Sequence, residues 1–149
     1  MKKGKPLPPT YFITSLLLLV ALHFVWPVSQ VIYSPYRYLC VLLIVIGLWL
    51  NLWADNLFKK RQTTVKPFEK ATTLMVEGPF GFTRNPMYLG MFLILAGLAV
   101  ILGSLTTFAI PVAFFIAMEV VFIRHEQKAL EQVFGQEFLD YTKRVRRWL

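Results

Sequence analysis

The sequence predicts an all-α integral membrane protein with four transmembrane helices, and three observations support this. Of its 149 residues, 56% are hydrophobic, above the roughly 45–50% that is usual for soluble domains. The excess is concentrated in four runs, each close to the roughly 17–25 residues that cross a bilayer as a helix. These runs cover about residues 11–27, 38–53, 87–102 and 105–123. Because they are continuously apolar, they do not resemble the alternating strands of a membrane barrel.

Basic residues indicate how these spans are oriented, because cytoplasmic loops are enriched in Lys and Arg. They gather before the first span, between the second and third, and after the fourth: Lys2, Lys3 and Lys5; Lys59, Lys60, Arg61, Lys66, Lys70 and Arg84; Arg124, Lys128, Lys143, Arg144, Arg146 and Arg147. Both termini and the loop before the third helix are therefore expected on the cytoplasmic side of a bacterial or archaeal membrane. Contact with anionic headgroups explains the net charge of +8, so no nucleic-acid partner is expected.

The elements follow one another in a single domain over residues 1–149. The first two spans form a hairpin, and residues 54–85 then mix charged with apolar side chains, so this segment is expected to pack against the membrane face. Spans three and four form a tight hairpin at residues 103–104. The tail from His125 is expected to be an amphipathic helix, because its apolar residues recur three and four apart. Gly135 is expected to mark a kink in it.

The hairpin of spans three and four has a geometric consequence at its cytoplasmic end. Arg84 lies twenty residues before Ser104 and Arg124 lies twenty after it, so two helical legs bring both arginines to about the same depth. Glu126 follows directly, and Pro86 suits the first turn of the third helix. Arginine at the edge of hydrocarbon is costly unless it has a partner or a function. The alternatives are that Arg84 is an interfacial anchor and that Glu126 is a surface charge.

Other polar residues near this level have two interpretations each. Glu119 lies inside the fourth span, where it is either one half of a buried ion pair or part of a pocket wall. Asn51 and Asp55 share one face of the second span and either close the site or cap the helix. His125 is either a base or a bystander. The sequence contains no dinucleotide-binding, phosphate-loop, zinc-helix or paired-cysteine motif, so no metal site is expected.

Two ordered motifs remain. The first runs from Leu74 to Gly90 and contains Gly-Pro-Phe and then Arg-Asn-Pro-Met-Tyr; the second begins at Glu126, continues through Phe-Gly, and ends with Val-Arg-Arg at residue 147. Together they resemble the signature of the integral membrane methyltransferases that include isoprenylcysteine carboxyl methyltransferase and phospholipid N-methyltransferase. The resemblance covers about residues 74–149.

The sequence departs from the family pattern at three positions. Asn85 stands where the family has His, Gln127 replaces the second Glu of a pair, and Phe138 replaces a Tyr. Asn85 forms hydrogen bonds but does not titrate, so any base that the reaction needs is not at this position.

The resemblance implies S-adenosylmethionine as the cofactor, bound at the cytoplasmic membrane edge by residues of about 72–90 and 124–147. It implies a lipid or a small amphipathic molecule as the methyl acceptor. The catalytic candidates are Arg84, Arg124 and Glu126. The cofactor-binding candidates are Leu74, Met75, Phe80, Asn85, Pro86, Tyr88 and Glu126.

Two further functions are compatible with the sequence. One is an NADPH-dependent membrane reductase similar to the sterol reductases, whose C-terminal half also resembles this family. The other is a small four-helix transporter with Glu119 as its coupling carboxylate. The sequence carries no signal for the oligomeric state.

Overall fold

The computed structural model describes residues 7–29, 35, 38, 40–61 and 73–149. Within these residues the α-helices are α1 (Pro8–Val25), α2 (Val41–Lys60), α3 (Pro86–Leu102), α4 (Ala109–Ala117), α5 (Arg124–Phe134) and α6 (Gln136–Arg144). Short 3-10 turns cover Gly78–Gly81 and Leu105–Phe108, and a π-helical segment covers Met118–Ile123. Some residues used to predict the orientation lie outside the described ones: Lys2, Lys3, Lys5, Lys66 and Lys70.

Three helical stretches are long and apolar enough to cross a membrane. They are Pro8–Val25, Val41–Lys60 and the uninterrupted stretch Leu105–Phe134. The all-helical, membrane-spanning character predicted from the sequence is thereby confirmed. α3 has 17 residues, which gives a helix of about 26 Å against a hydrocarbon core of about 30 Å. A fourth span at α3 and the cytoplasmic position of both termini stay predictions.

α3 lies at the centre of the bundle, and more than half of its residues are buried. It contributes Tyr88, Met91 and Leu95 to the main core, which α1 completes through Leu19 and α4 through Phe114. The outer helices instead expose large apolar side chains, which a bilayer would cover. Examples are Leu17 at 65%, Leu42 at 63% and Val112 at 57% exposure.

Glycines allow α2 and α3 to cross closely. A Cβ atom added to Gly47 would lie 2.5 Å from the carbonyl oxygen of Gly90, and one added to Gly97 would lie 2.7 Å from Ile44. Small residues permit such close backbone approach between membrane helices, and Gly47, Gly90 and Gly97 serve this purpose here. The Asn51 amide donates to the Gly47 carbonyl at 2.9 Å within the same crossing.

The fourth span and the first part of the tail form one helix of 30 residues. Its middle is π-helical: the backbone N–H of Arg124 donates to the carbonyl of Glu119, five residues earlier. The helix is about 45 Å long, so its charged last third, α5, extends beyond the about 30 Å hydrocarbon core.

The tail folds back at Gly135, where φ is +51°, so the predicted kink is present as a complete break between α5 and α6. α6 then buries Phe138 and Tyr141 against Leu74. The Tyr141 hydroxyl donates to the carbonyl of Phe80 at 2.6 Å. The segment before α3 is therefore covered by the tail, and it also packs on the end of α2.

Replacing Gly90 with Ala tests the helix crossing. The added Cβ would lie 2.6 Å from the Gly47 carbonyl, and such overpacking costs about 1–3 kcal/mol. We expect a lower midpoint of thermal unfolding in detergent for Gly90→Ala. Gly81→Ala is the matched control, because its Cβ would meet only Val76, at 3.8 Å. Equal midpoints for the two variants would contradict the close crossing.

Candidate functional site

A hydrogen bond between a buried tyrosine and a half-buried glutamate joins the two sequence motifs. Pro86 occupies the first position of α3, as expected, and Tyr88 lies within the first turn of this helix. Tyr88 is 8% exposed, and its hydroxyl donates to Oε1 of Glu126 at 2.7 Å. Phe122 packs against the Tyr88 ring, with centroids 6.3 Å apart. A carboxylate with so little access to water needs such a donor.

A second group of charged side chains surrounds Glu119. Nη1 of Arg147 lies 2.5 Å from its carboxylate and Nε of Arg124 lies 3.5 Å from it. The Trp148 indole N–H donates to its second oxygen at 3.3 Å. Of the two interpretations of Glu119, the structure thus supports the ion pair. The sequence places Arg124 five residues after Glu119, and the π-helical turn puts residues at this spacing on one face.

Arg84 belongs to this second group. Burial lowers the pKa of its guanidinium below the usual value, the positive charge of Arg147 lowers it further, and Tyr141 and Glu119 act in the opposite direction. Nε of Arg84 is buried and has no hydrogen-bond partner among the described residues, and the same holds for Nε of Arg147. We call Arg84, Arg124, Arg147 and Glu119 the arginine cluster.

The last residues of the chain hold the start of α3 in place. The backbone N–H of Arg84 donates to the carbonyl of Arg146 at 3.0 Å. The Asn85 side-chain amide donates to the carbonyl of Arg147 at 2.7 Å. Thr83, which is fully buried, also donates to this carbonyl, at 3.4 Å. Asn85, expected at the cofactor, thus uses its amide to bind the C-terminal segment, residues 145–148.

The predicted site residues therefore fall into two groups at the start of α3. Glu126 contacts Tyr88, whereas Arg124 contacts Glu119, and Arg84 lies in the electrostatic field of Glu119 and Arg147. The sequence argument brought both arginines to the same level, and both do lie around one carboxylate. That carboxylate is Glu119, and the described contacts of Glu126 do not include either arginine.

The apolar candidates for cofactor binding are packed side chains. Met75 and Phe80 are buried with Ala54 below the end of α2, and the Phe80 ring meets the edge of Phe58 at a centroid distance of 5.5 Å. Leu74 packs against the apolar face of α6. These packed apolar side chains support the segment that leads into α3.

Asn51 and Asp55 have structural partners on α2. Asn51 bonds the helix backbone at the crossing with α3, and Asp55 pairs with Lys59 at 2.5 Å. The face of α2 that carries both residues therefore contacts α3 at Asn51, and at Asp55 it carries an ion pair with the exposed Lys59.

Sequence reasoning missed four residues of this region. Arg147 and Trp148 bind Glu119, Thr83 anchors the C-terminal segment, and Gln127 has a buried amide nitrogen without a partner among the described residues. One signal was present, since the second motif ends in Val-Arg-Arg and so points to Arg147. The contacts of Thr83 depend on the folded tail and leave no local sequence pattern.

The fold and the site define a class: a helical membrane protein with two half-buried carboxylates and clustered arginines at one end of a central apolar helix. A family model described as phospholipid methyltransferase matches residues 36–137 of the chain. This is more than half of the sequence and includes α2 to α5. The protein belongs to the phospholipid methyltransferase family, which confirms the resemblance drawn from the two motifs.

Among curated proteins, the chain is similar to the nickel-cobalt-cadmium resistance protein NccN of Alcaligenes xylosoxydans xylosoxydans. The two are 36% identical over 76 residues, which is 51% of this chain and 35% of that protein. The similarity therefore spans about a third of the relative's length. No solved structure matches the chain significantly.

Glu119→Gln tests the arginine cluster. The variant removes the charge that binds Arg147, and a hydrogen bond to a charged group is worth about 1.5–3 kcal/mol. We expect the C-terminal segment to detach more often and trypsin to cleave after Arg146 and Arg147 at least about tenfold faster. Asp140→Asn is the control, because it removes an exposed ion pair with Lys143. Equal cleavage rates in the two variants would show that Glu119 does not hold this segment.

Tyr141→Phe gives a pH-dependent test of the tail. Burial raises the pKa of Tyr141 from 10.0 to about 12, so the native state holds this proton more tightly than the unfolded chain. The resulting stabilisation is complete below pH 10 and is lost as the pH rises towards about 12. Over this interval the unfolding midpoint of the wild type should fall more steeply than that of Tyr141→Phe. Parallel pH profiles would be inconsistent with a buried Tyr141 hydroxyl.

Proposed function

We propose that the protein transfers a methyl group from S-adenosylmethionine to an amphipathic or small apolar acceptor at the cytoplasmic edge of the membrane. The observation that carries this proposal is the hydrogen bond between Tyr88 and Glu126. It joins two motifs that are 38 residues apart in the sequence, and both resemble the methyltransferase signature. Membership of the phospholipid methyltransferase family supports the same reaction.

The residues at the start of α3 fit the polar groups of this cofactor. Glu126 is an acceptor for hydroxyl or ammonium donors. The unpartnered Nε of Arg84 and the unpartnered amide nitrogen of Gln127 are donors for a carboxylate. Tyr88 and Phe122 pack together in the core, so they support the Glu126 carboxylate from behind. Donors and an acceptor are thus present near the start of α3.

Methyl transfer requires little of the protein beyond positioning the cofactor and the acceptor. S-adenosylmethionine would supply a methyl group on a positively charged sulfur; the nucleophilic atom of the acceptor would bond to the methyl carbon as the carbon–sulfur bond breaks, and S-adenosylhomocysteine would leave. The protein's contribution is then to align the two molecules and exclude water. Tyr88 fixes the orientation of the Glu126 carboxylate from inside the core. Carboxylate and thiolate acceptors need no strong base, so Asn85 at the usual His position does not prevent the reaction.

The arginine cluster suggests how an acidic acceptor would be held. Glu119 already pairs with Arg124 and Arg147. Arg84 has a backbone contact to Arg146, and its buried Nε is a free donor among the described residues. We assign Arg84 to an anionic group of the acceptor or cofactor, and Arg124 to holding Glu119 in place. This assigns different roles to two residues that the sequence treated as equivalent.

Glu126→Gln and Arg84→Ala test the proposal. Each variant removes a charged hydrogen-bonding group, so we expect roughly a tenfold to hundredfold weaker binding of S-adenosylmethionine or of the acceptor. Binding is measured by calorimetry, and turnover as transfer of labelled methyl into a total lipid extract. Matched controls are Glu131→Gln and Arg144→Ala, which change exposed residues of the same helical tail.

The outcome separates this proposal from a reductase. Binding of NADPH without any binding of S-adenosylmethionine would overturn it. Near-normal turnover in both Glu126→Gln and Arg84→Ala would leave methyl transfer intact but refute the proposed site.

A further inference from the structure

Three aromatic side chains form a strip on the outside of the bundle, between α2 and the residue that follows the 3-10 turn at Gly78–Gly81. The ring centroids of Trp49 and Trp53 are 4.6 Å apart, and those of Trp53 and Phe82 are 6.2 Å apart. Trp49 is 55% exposed and Phe82 is 44% exposed, whereas Trp53 between them is half-buried. We call these three residues the aromatic strip.

The aromatic strip connects α2 to the segment before α3. A Cβ atom added to Gly78 would lie 3.4 Å from three atoms of the Trp53 indole, so the backbone of the 3-10 turn packs against this ring. Beyond the strip, Arg61 at the end of α2 pairs with Glu77, and both side chains are exposed. The strip therefore includes a part of the chain that belongs to no apolar span.

The crossing of α2 and α3 gives the level of the strip along the bundle. Gly47 meets Gly90 at this crossing, and the two helices run antiparallel. Trp49 and Trp53 lie two and six residues beyond Gly47, which is about 3 Å and about 9 Å along α2. Pro86 lies four residues from Gly90 in the same direction, or about 6 Å. The two indoles therefore lie on either side of the level at which α3 begins.

The surface of α2 changes from apolar to charged at this level. Towards the start of the helix its exposed side chains are large and apolar, namely Leu42, Val45 and Leu48. Towards its end they are basic, namely Lys59, Lys60 and the following Arg61. Tryptophan is enriched where hydrocarbon meets lipid headgroups, because its ring is apolar and its N–H is a hydrogen-bond donor. The strip thus has the composition and the position of a membrane-interface contact.

The size of the strip argues against a protein partner. Each partner in a stable complex buries roughly 800 Å², whereas an aromatic side chain offers about 150–250 Å² in total. About half of Trp49 and of Phe82 is exposed, so the strip falls well below that area. It continues directly into the exposed apolar surface of α2, a helix long and apolar enough to cross a membrane. Lipid covers both surfaces without a further contact.

We propose that the aromatic strip binds the headgroup layer of the bilayer and anchors residues 78–82 there, which holds the start of α3 at a fixed depth. The occupant is the boundary between phospholipid headgroups and their acyl chains. A second copy of the chain and a soluble protein are the competing occupants. The anchor does not depend on the methyl-transfer reaction.

Site-directed spin labelling in phosphatidylcholine nanodiscs tests the anchor. A nitroxide is attached at Gly81→Cys in a Cys40→Ala background, and its collisions with oxygen and with a water-soluble nickel chelate are measured. Gly81 is exposed and an added Cβ would meet only Val76, so the label leaves all three rings in place. Reference labels replace Leu42, on the apolar surface of α2, and Lys143, whose side chain is 70% exposed. We expect an oxygen-to-nickel collision ratio at residue 81 between the two reference values.

Removing a ring should move the label towards water. Phe82→Ser in the labelled protein should shift the ratio at residue 81 towards the value at Lys143. Trp53→Leu should produce the same shift, because it keeps apolar volume but removes the ring that joins the strip. Trp26→Leu is the matched control, since Trp26 is 66% exposed and lies beside the turn at the other end of α3. It should leave the ratio unchanged.

Each contrary result identifies a different occupant. A ratio at residue 81 equal to that at Lys143 would show that the strip faces water, as a soluble partner requires, and would overturn the anchor. A ratio equal to that at Leu42 would place the segment inside hydrocarbon and also overturn it. Broadening of the spectrum by a second label would identify another copy of the chain, with the same consequence. An unchanged ratio in both Phe82→Ser and Trp53→Leu would show that the rings do not hold the segment.

Discussion

A carboxylate in a helix that is apolar enough to cross a membrane has to be neutralised, and Glu119 is neutralised by Arg124 nearby and by Arg147 from the far end of the sequence. Arg147 reaches Glu119 across 28 residues of sequence. To do so, the C-terminal segment must run beside residues 83–85, where its carbonyls accept three hydrogen bonds. The start of α3 is fixed by these bonds, and with it the position from which Tyr88 meets Glu126. One electrostatic requirement thus organises the whole end of the bundle.

The sequence was sufficient for features that depend on local chemistry. Apolar length predicted the spanning helices, Pro86 marked the start of α3, and Gly135 marked the break in the tail, because each rests on the conformational preference of a single residue or run. The α2 boundary was less accurate: the span was expected to end near residue 53, and α2 continues to Lys60. The last turns of α2 carry charged residues. These residues lower the hydropathy, so the predicted span ends before them, although a helix accommodates basic residues at its C-terminal end.

Features that depend on tertiary contacts could not be predicted in this way. The partner of Glu119 is chosen by the fold of the tail, and the amide of Asn85 is directed to a backbone carbonyl that has no sequence signature. Hydrophobic periodicity likewise does not predict the π-helical segment, because this segment is defined by which carbonyl each backbone N–H bonds to. The two motifs located the right region, and the contacts within it had to come from the structure.

The π-helical segment also sets the rotational phase between the membrane-spanning part and the last third of a helix of 30 residues. A π turn bonds to the residue five back, one further than an α turn does. If the segment returned to α geometry with all its residues kept, everything beyond would turn by about 100° around the axis, and Glu126 would face away from Tyr88. The loss of one residue at this place would compensate for that rotation. In an alignment of relatives, a gap of one residue here would therefore indicate a regular α-helix whose glutamate still faces α3.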